Sequence, residues 1–218
     1  MKRIVYILIF SLFFCSEYPQ QYYKSMDRAL EMFETSETEA DYLKVSNLFY
    51  RISNAVKTDW LSSYYYALCN ARISRFQDDN DIKEIYLDKA LDIINPYSII
   101  DSTKLDSLAY SEINTLKALI YAAKISSMSS AMKYGPLSGS SLEAALKFYP
   151  KNPRAYFLDG QGKYYMPSFV GGGVDVALPL LEKSLKYYDG FEARKYWPNW
   201  GREDCQLLYD KALNYESE

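Results

Sequence analysis

The sequence predicts an all-α protein, an α–α superhelix built from antiparallel helical hairpins. Three observations indicate this fold class. Apolar residues recur at three- and four-residue spacing between separate chain breakers, no run alternates strictly enough to form a strand, and glycine and proline number only 9 and 8. Hydrophobic residues make up 49% of the chain and charged residues 24%, a balance typical of a globular protein and not of a disordered chain.

The N-terminus has the features of a signal peptide. Met1-Lys2-Arg3 is a short basic start, and the next stretch, residues 4–14, is apolar except for Ser11. A run of about eleven apolar residues is too short to span a bilayer as a helix. We therefore expect residues 1–16 to be a leader and residues 17–218 to form one helical repeat domain, either periplasmic or secreted.

The cysteines leave two questions open. Leu12 fits a lipoprotein signal that would modify Cys15, but Phe14 directly before that cysteine does not. Simple secretion and membrane anchoring through a lipidated Cys15 are therefore both possible interpretations. Cys69 and Cys205 could form a disulfide in an oxidising compartment, although two buried free thiols are the simpler expectation.

Nine helices follow the leader in the predicted order. Breakers at Gly135-Pro136 place a long loop between residues 128 and 140, and a second insertion lies between Pro96 and Lys104. Short connections favour antiparallel pairs, so we expect about four hairpins and a C-terminal capping helix. The predicted helices cover residues 19–34, 38–54, 59–75, 81–94, 103–128, 139–148, 153–165, 174–187 and 202–215.

The clearest repeat unit begins at Asn152-Pro153. Small residues let two paired helices approach closely, and large residues fill the gaps between their turns. The unit places such residues on both of its helices: Tyr156, Gly160 and Lys163 on the first, then Ala177, Leu181 and Ser184 on the second.

These residues give the chain a resemblance to the tetratricopeptide repeat superfamily over about residues 40–215. The segment 152–200 resembles secreted members from Bacteroidetes-like bacteria more specifically. The motifs that carry this second resemblance are Asn152-Pro153-Arg154, Tyr165-Met166-Pro167, Gly171-Gly172-Gly173, Ala177-Leu178-Pro179 and Trp200-Gly201. The chain departs from the repeat consensus in lacking Trp at the large position of the first helix and in its long insertions.

The resemblance implies a concave groove lined by the first helix of each hairpin, and hence a binding function. Arginine beside tyrosine and glutamine suits a ligand-lining surface. The residues expected on this face are Arg154, Phe157, Gln161, Tyr164 and Tyr165 in one unit and Tyr64 and Arg72 in another. We expect a protein or peptide partner in this groove. The alternative is a small-molecule-binding repeat protein that accompanies a tripartite substrate-binding transporter.

Composition argues against other function classes. The chain has no histidine, a net charge of −3 and no basic stripe, so neither a nucleic-acid partner, a metal site nor a cofactor is expected. No nucleophile–base pair is present, so we do not expect an enzyme. The Asp78–Asp81 turn lacks the ligand order of an EF-hand, and helix capping by Asn80 or Asp81 is the simpler interpretation. Gly171–Gly173 has two interpretations. The simpler one is a turn that needs positive φ, and the other is an anion site at a helix N-terminus.

Overall fold

The structure, a computed structural model, describes residues 19–98 and 105–216. This part of the chain contains nine α-helices and no strand, which confirms the predicted all-α class. The leader and Cys15 lie outside the described residues. The helices are α1 (Gln20–Glu34), α2 (Glu39–Ala55), α3 (Trp60–Ile73), α4 (Asn80–Ser98), α5 (Ser107–Ala123), α6 (Met128–Phe148), α7 (Pro153–Tyr165), α8 (Val174–Asp189) and α9 (Arg202–Glu216).

Each helix packs against the next one along the chain, as in antiparallel hairpins joined by short loops. The hairpins are α1–α2, α3–α4, α5–α6 and α7–α8, and α9 packs onto the last of them. The first helices also touch one another in sequence, α3 with α5, α5 with α7, and α7 with α9. The first helices α3, α5 and α7 therefore form one continuous face, called here the inner face.

Polar side chains fix where several helices begin. Asp59 accepts hydrogen bonds from the backbone N–H groups of Leu61 and Ser62 at the start of α3. At the start of α4 the cap is Asp79, whose carboxylate accepts from the backbone of Asp81 at 2.8 Å. The expected cap, Asn80 or Asp81, is therefore wrong by one or two residues. The acidic turn is a capping structure, because an aspartate ahead of a helix satisfies N–H groups that have no intrahelical partner.

Helix α6 corrects the largest error of the sequence analysis. The predicted loop at 128–140 is helical, and the helix predicted over 103–128 ends at Ala123. Ser127 and Ser130 form a capping box that starts α6 before the supposed breakers. Pro136 lies in the helix interior on its exposed side, where water can reach the carbonyl that the proline leaves without a partner.

The predicted repeat unit packs as its small residues require. A Cβ atom added to Gly160 would lie 2.9 Å from the side chain of Leu181, so only glycine lets α7 and α8 approach this closely. Ala177 and Ser184 are buried beside it, and the Ser184 hydroxyl donates to the Pro153 carbonyl at 2.8 Å. The alignment of this unit is therefore right at its closest contact.

The core has a large N-terminal cluster from α1 to α5, a smaller one formed by α7, α8 and α9, and a third where α5, α6 and α7 meet. Cys69 belongs to the first cluster and Cys205 to the second, and both are free thiols. Burial raises the pKa of both thiols, which keeps them protonated and unreactive.

Candidate functional site

The inner face is covered by the chain itself. Residues 190–201, which join α8 to α9 and are called here the connecting segment, contain no helix and contact the first helix of all four hairpins. Phe191 lies against α7, Arg194 pairs with Asp106 at the N-cap of α5, and Trp197 packs on α3. Tyr196 reaches α1. The face that the sequence predicts as an open groove is therefore occupied by the segment that follows the last hairpin.

Two tryptophans attach the connecting segment to α3. The Trp197 ring meets the Trp60 ring edge to face at 4.9 Å, and the Trp197 carbonyl accepts a hydrogen bond from the Tyr65 hydroxyl at 3.1 Å. The Trp200 indole N–H donates to the Tyr64 hydroxyl at 2.9 Å. Aromatic pairs of this geometry add to the stabilisation from apolar burial. These contacts make the segment part of the large core cluster.

A strained residue attaches the segment to α1. Tyr196 has φ of 66°, in the left-handed region that non-glycine residues rarely adopt. Its hydroxyl donates to the Asp27 carboxylate at 2.7 Å, and Lys195 lies 3.7 Å from the same carboxylate. An unfavourable backbone conformation persists only where surrounding contacts hold it. The contacts with α1 supply that support.

Arg154, the first of the predicted groove residues, is fully buried, whereas a residue that lines an open groove must be accessible to a ligand. Its guanidinium binds Glu112 of α5 through two hydrogen bonds of 2.7 and 2.8 Å, and the Phe191 ring lies 4.6 Å from its central carbon. Burial alone would lower the pKa of Arg154, but the Glu112 carboxylate raises it above its ordinary value. A buried, bidentate ion pair of this kind serves the packing of α5 on α7 and is not open to a ligand.

Asn152 extends this ion pair into a network. Its side-chain carbonyl accepts from the backbone N–H groups of Arg154 and Ala155, which caps α7. Its amide donates to Ser111 at 2.9 Å and to Glu112 at 3.0 Å. Glu112 was not among the residues predicted from the sequence, although an isolated acid within the apolar run of α5 is a signal for a buried partner. The Asn-Pro-Arg motif is thus structural here.

The other six predicted groove residues lie in three separate places: under the connecting segment, beside α1 and α2, and at the C-terminal end of α7. Tyr64 and Phe157 are buried under the connecting segment, and burial raises the pKa of Tyr64 well above its usual range. Arg72 lies apart from both, 5.9 Å from each of the Phe33 and Tyr42 rings. The structure therefore does not bring the seven residues into one accessible surface.

The third place is the C-terminal end of α7. Gln161 and Tyr164 are half-buried there, and Tyr165 is 67% exposed. The rings of Tyr164 and Tyr165 meet edge to face at 5.1 Å, and the Lys211 ammonium of α9 lies 5.6 Å from the Tyr164 ring. Among the predicted residues, this end of α7 offers the most accessible aromatic surface.

The turn that follows α7, residues 165–170, presents further apolar side chains and is called here the apolar turn. Phe169 is 84% exposed, and Met166 and Val170 are exposed beside it. Gly172 holds the turn closed, because a Cβ atom there would lie 2.1 Å from the Met166 carbonyl oxygen. A fixed turn that exposes several apolar side chains is more typical of a contact surface than of a linker.

The backbone of Gly171–Gly173 decides between the two interpretations of the glycine run. Gly171 and Gly173 have φ of 88° and 113°, which glycine adopts without strain. The three N–H groups donate to carbonyls of Ser168, Pro167 and Lys163 within the turn. They are not available to an anion, so the glycine run is a turn.

The α1–α2 hairpin carries an open groove on its surface, called here the α1–α2 groove, with a cavity volume of about 430 Å³. Its charged lining residues are all cationic, and its floor is apolar and aromatic. Arg28 and Met32 come from α1, and Lys44, Asn47, Leu48, Tyr50 and Arg51 come from α2. This groove was not predicted from the sequence, because its cations are spread over two helices and form no run.

No group of three or more metal-ligating side chains occurs within residues 19–98 and 105–216. In the same part of the chain, none of the helices combines the length and apolar character needed to cross a membrane.

Comparison with known proteins gives a similarity among solved structures. No protein-family model matches the sequence, and no curated protein does. Among solved structures, the chain is similar to the HusA haemophore from Porphyromonas gingivalis, with 27% sequence identity and a TM-score of 0.76. The similarity covers 89% of this chain and 95% of that one, so it extends over nearly the whole of both folds. The chain therefore has the helical fold of a protein whose name describes haem carriage.

Proposed function

We propose that this protein binds haem or a related tetrapyrrole outside the cell. The observation that carries the proposal is its similarity to a haemophore over nearly the full length of both proteins. Binding without catalysis agrees with a chain that offers no nucleophile–base pair and no histidine. The tetratricopeptide-type stacking of hairpins serves in this proposal as the scaffold that positions the ligand surface.

The proposal favours the small-molecule alternative over a peptide-binding scaffold. A peptide groove would need the inner face of α3, α5 and α7, where Trp197 and Trp200 of the connecting segment already pack. A tetrapyrrole needs only a smaller apolar surface with cations nearby. The expected leader is consistent with a protein that meets haem outside the cytoplasm.

The composition limits how haem iron could be held. Histidine is absent and both Cys69 and Cys205 are buried, so the axial ligands that residues 19–98 and 105–216 can offer are a tyrosine phenolate or a methionine thioether. Exposed residues of both kinds exist, among them Tyr50, Tyr165 and Met166. Binding through the porphyrin ring without iron ligation is the other chemical possibility, and iron-free protoporphyrin IX distinguishes the two.

The test is a titration of the purified mature protein with haemin, followed by the Soret absorbance and by quenching of tryptophan fluorescence. We expect saturation at equimolar haemin with a dissociation constant in the micromolar range or tighter. A parallel titration with protoporphyrin IX measures the contribution of the iron. The proposal is overturned if neither compound gives saturable binding to a protein whose circular dichroism shows the helical fold.

A further inference from the structure

We infer that the tetrapyrrole binds in the α1–α2 groove, with its carboxylates on Arg28 and Arg51 and its ring on the apolar floor. This inference rests on the proposed function and assigns that function to a surface that the sequence analysis did not identify. It follows from the volume, the charge and the floor of the groove.

The volume is suited to a ligand of this size. Pockets for small molecules and cofactors commonly have volumes of about 300–1,000 Å³. The groove volume of about 430 Å³ lies within this range, and the groove is open along one side. A flat ring can therefore enter edge first with part of its surface still in water, as a protein that must release its ligand requires.

The charge of the groove is the opposite of the charge of the whole protein. The chain carries a net charge of −3, yet the charged residues lining the groove are Arg28, Lys44 and Arg51. Lys44 has Asp41 at 3.9 Å. Within residues 19–98 and 105–216, no carboxylate lies within ion-pair distance of Arg28 or Arg51. Two free guanidinium groups are suited to bidentate hydrogen bonds with the two propionates of haem.

The floor supplies the apolar contact. Met32 and Leu48 are half-buried between the two helices, and the Tyr50 ring is 45% exposed at their side. The Tyr66 ring packs on Tyr50 at 5.1 Å, which holds the exposed ring in position. A porphyrin could contact this floor through its face, and the thioether of Met32 and the hydroxyl of Tyr50 are both groups that can ligate haem iron.

The apolar turn is a second accessible apolar surface, but it lacks unpaired cations like those of the α1–α2 groove. Phe169 and Val170 offer contact area, but the nearby Lys211 lies over the Tyr164 ring and Lys163 is half-buried. The apolar turn could contact the apolar face of a tetrapyrrole, whereas the α1–α2 groove could also bind its two carboxylates.

The experiment compares two double variants in the full mature chain. Arg28→Gln/Arg51→Gln removes the two proposed carboxylate partners. Arg75→Gln/Lys147→Gln removes two exposed cations from other parts of the surface and serves as the matched control. Each protein is titrated with protoporphyrin IX and with its dimethyl ester, which has the same ring but no carboxylates. Circular dichroism and thermal melting confirm that the variants fold.

We expect the groove variant to bind protoporphyrin IX at least about tenfold more weakly than the wild type, because two charge-assisted contacts are lost. Its affinity for the dimethyl ester should change less than twofold, and the control should match the wild type with both compounds. The inference is overturned if the groove variant keeps wild-type affinity for protoporphyrin IX, or if Phe169→Ser in the apolar turn lowers that affinity and the groove variant does not. Failure of the wild type to bind any tetrapyrrole would instead refute the proposed function.

Discussion

Arginine and tyrosine occur together in two regions of this molecule, and the two regions use them differently. On the inner face, Arg154 is fully buried, paired with Glu112, and covered by the connecting segment. In the α1–α2 groove, Arg28 and Arg51 are exposed beside the partly exposed Tyr50. The residue types are the same, but only one region retains charge that a ligand could neutralise.

The difference shows that solvent access and charge compensation, and not residue type, separate an arginine that serves packing from one that is accessible to a ligand. A buried guanidinium requires a carboxylate, since an unpaired charge in the interior is strongly unfavourable. An exposed guanidinium needs no partner, because water solvates it at little cost. Substitutions that remove each arginine should therefore affect stability in one region and binding in the other.

The largest expected effect is at the buried ion pair. Arg154→Ala leaves Glu112 buried without its cation, and we expect the free energy of unfolding to fall by about 3–5 kcal/mol in urea denaturation. Arg154→Met combined with Glu112→Leu removes both charges and should recover most of this loss. A loss below about 1 kcal/mol for Arg154→Ala would contradict this contrast between the two regions, because it would mean that the inner face remains stable without the buried ion pair.

A smaller effect is expected where α7 and α8 touch. Gly160→Leu forces a side chain against Leu181, so overpacking should cost about 1–3 kcal/mol of stability. Gly162→Ala, two residues along the same helix, has no atom within 4 Å of the added Cβ. This control should be stabilised by about 0.5–1 kcal/mol through its better helix propensity. Equal melting temperatures for the two variants would show that the alignment of the repeat unit is wrong.

The hydrogen bond that attaches the connecting segment to α3 should make a more modest contribution to stability. Trp200→Phe removes the indole donor to Tyr64, and we expect a loss of about 0.5–1.5 kcal/mol from the hydrogen bond, besides the smaller ring. A double-mutant cycle with Tyr64→Phe isolates the hydrogen-bond contribution by chemical denaturation. A coupling energy of zero would indicate that the segment lies on the inner face without being held there by this bond.

The smallest effect on stability is expected in the α1–α2 groove. Arg28→Gln and Arg51→Gln should each change the free energy of unfolding by no more than about 0.5 kcal/mol, because both residues are exposed and have no ion pair with any other residue that the structure describes. Thermal melting of the two variants beside Arg154→Ala measures the contrast directly. If either variant melted as early as Arg154→Ala, its arginine would belong to the fold, and the distinction between the two regions would be lost.

The sequence was sufficient for the fold class because helical periodicity and small residues at close contacts are local signals. The repeat spacing alone assigns Gly160 and Leu181 to facing helices of one hairpin. The loop predicted at residues 128–140 failed for a physical reason. Pro136 lies on the exposed side of α6, where water can solvate the carbonyl that the proline leaves without a partner, so the capping box at Ser127 outweighs it.

The candidate sites were less predictable because they depend on contacts between distant residues. Tyr64 and Arg154 were predicted to line an open groove, but both are buried, because periodicity does not reveal that a non-helical segment covers this face. The density of aromatic residues between Phe191 and Trp200 was the available signal. The α1–α2 groove requires knowing which faces of α1 and α2 remain uncovered, and no spacing rule gives that information.

The contact between Tyr196 and α1 joins residues 169 positions apart and therefore affects how the chain can mature. Stacked repeats ordinarily need only their neighbours, so each can fold as soon as it has been synthesised. Here the first hairpin lacks part of its core until the residues before α9 have left the ribosome, and such distant contacts slow folding. The protein thus acquires its native state only after nearly the whole chain is available, which leaves a nascent polypeptide without its final structure for most of its synthesis.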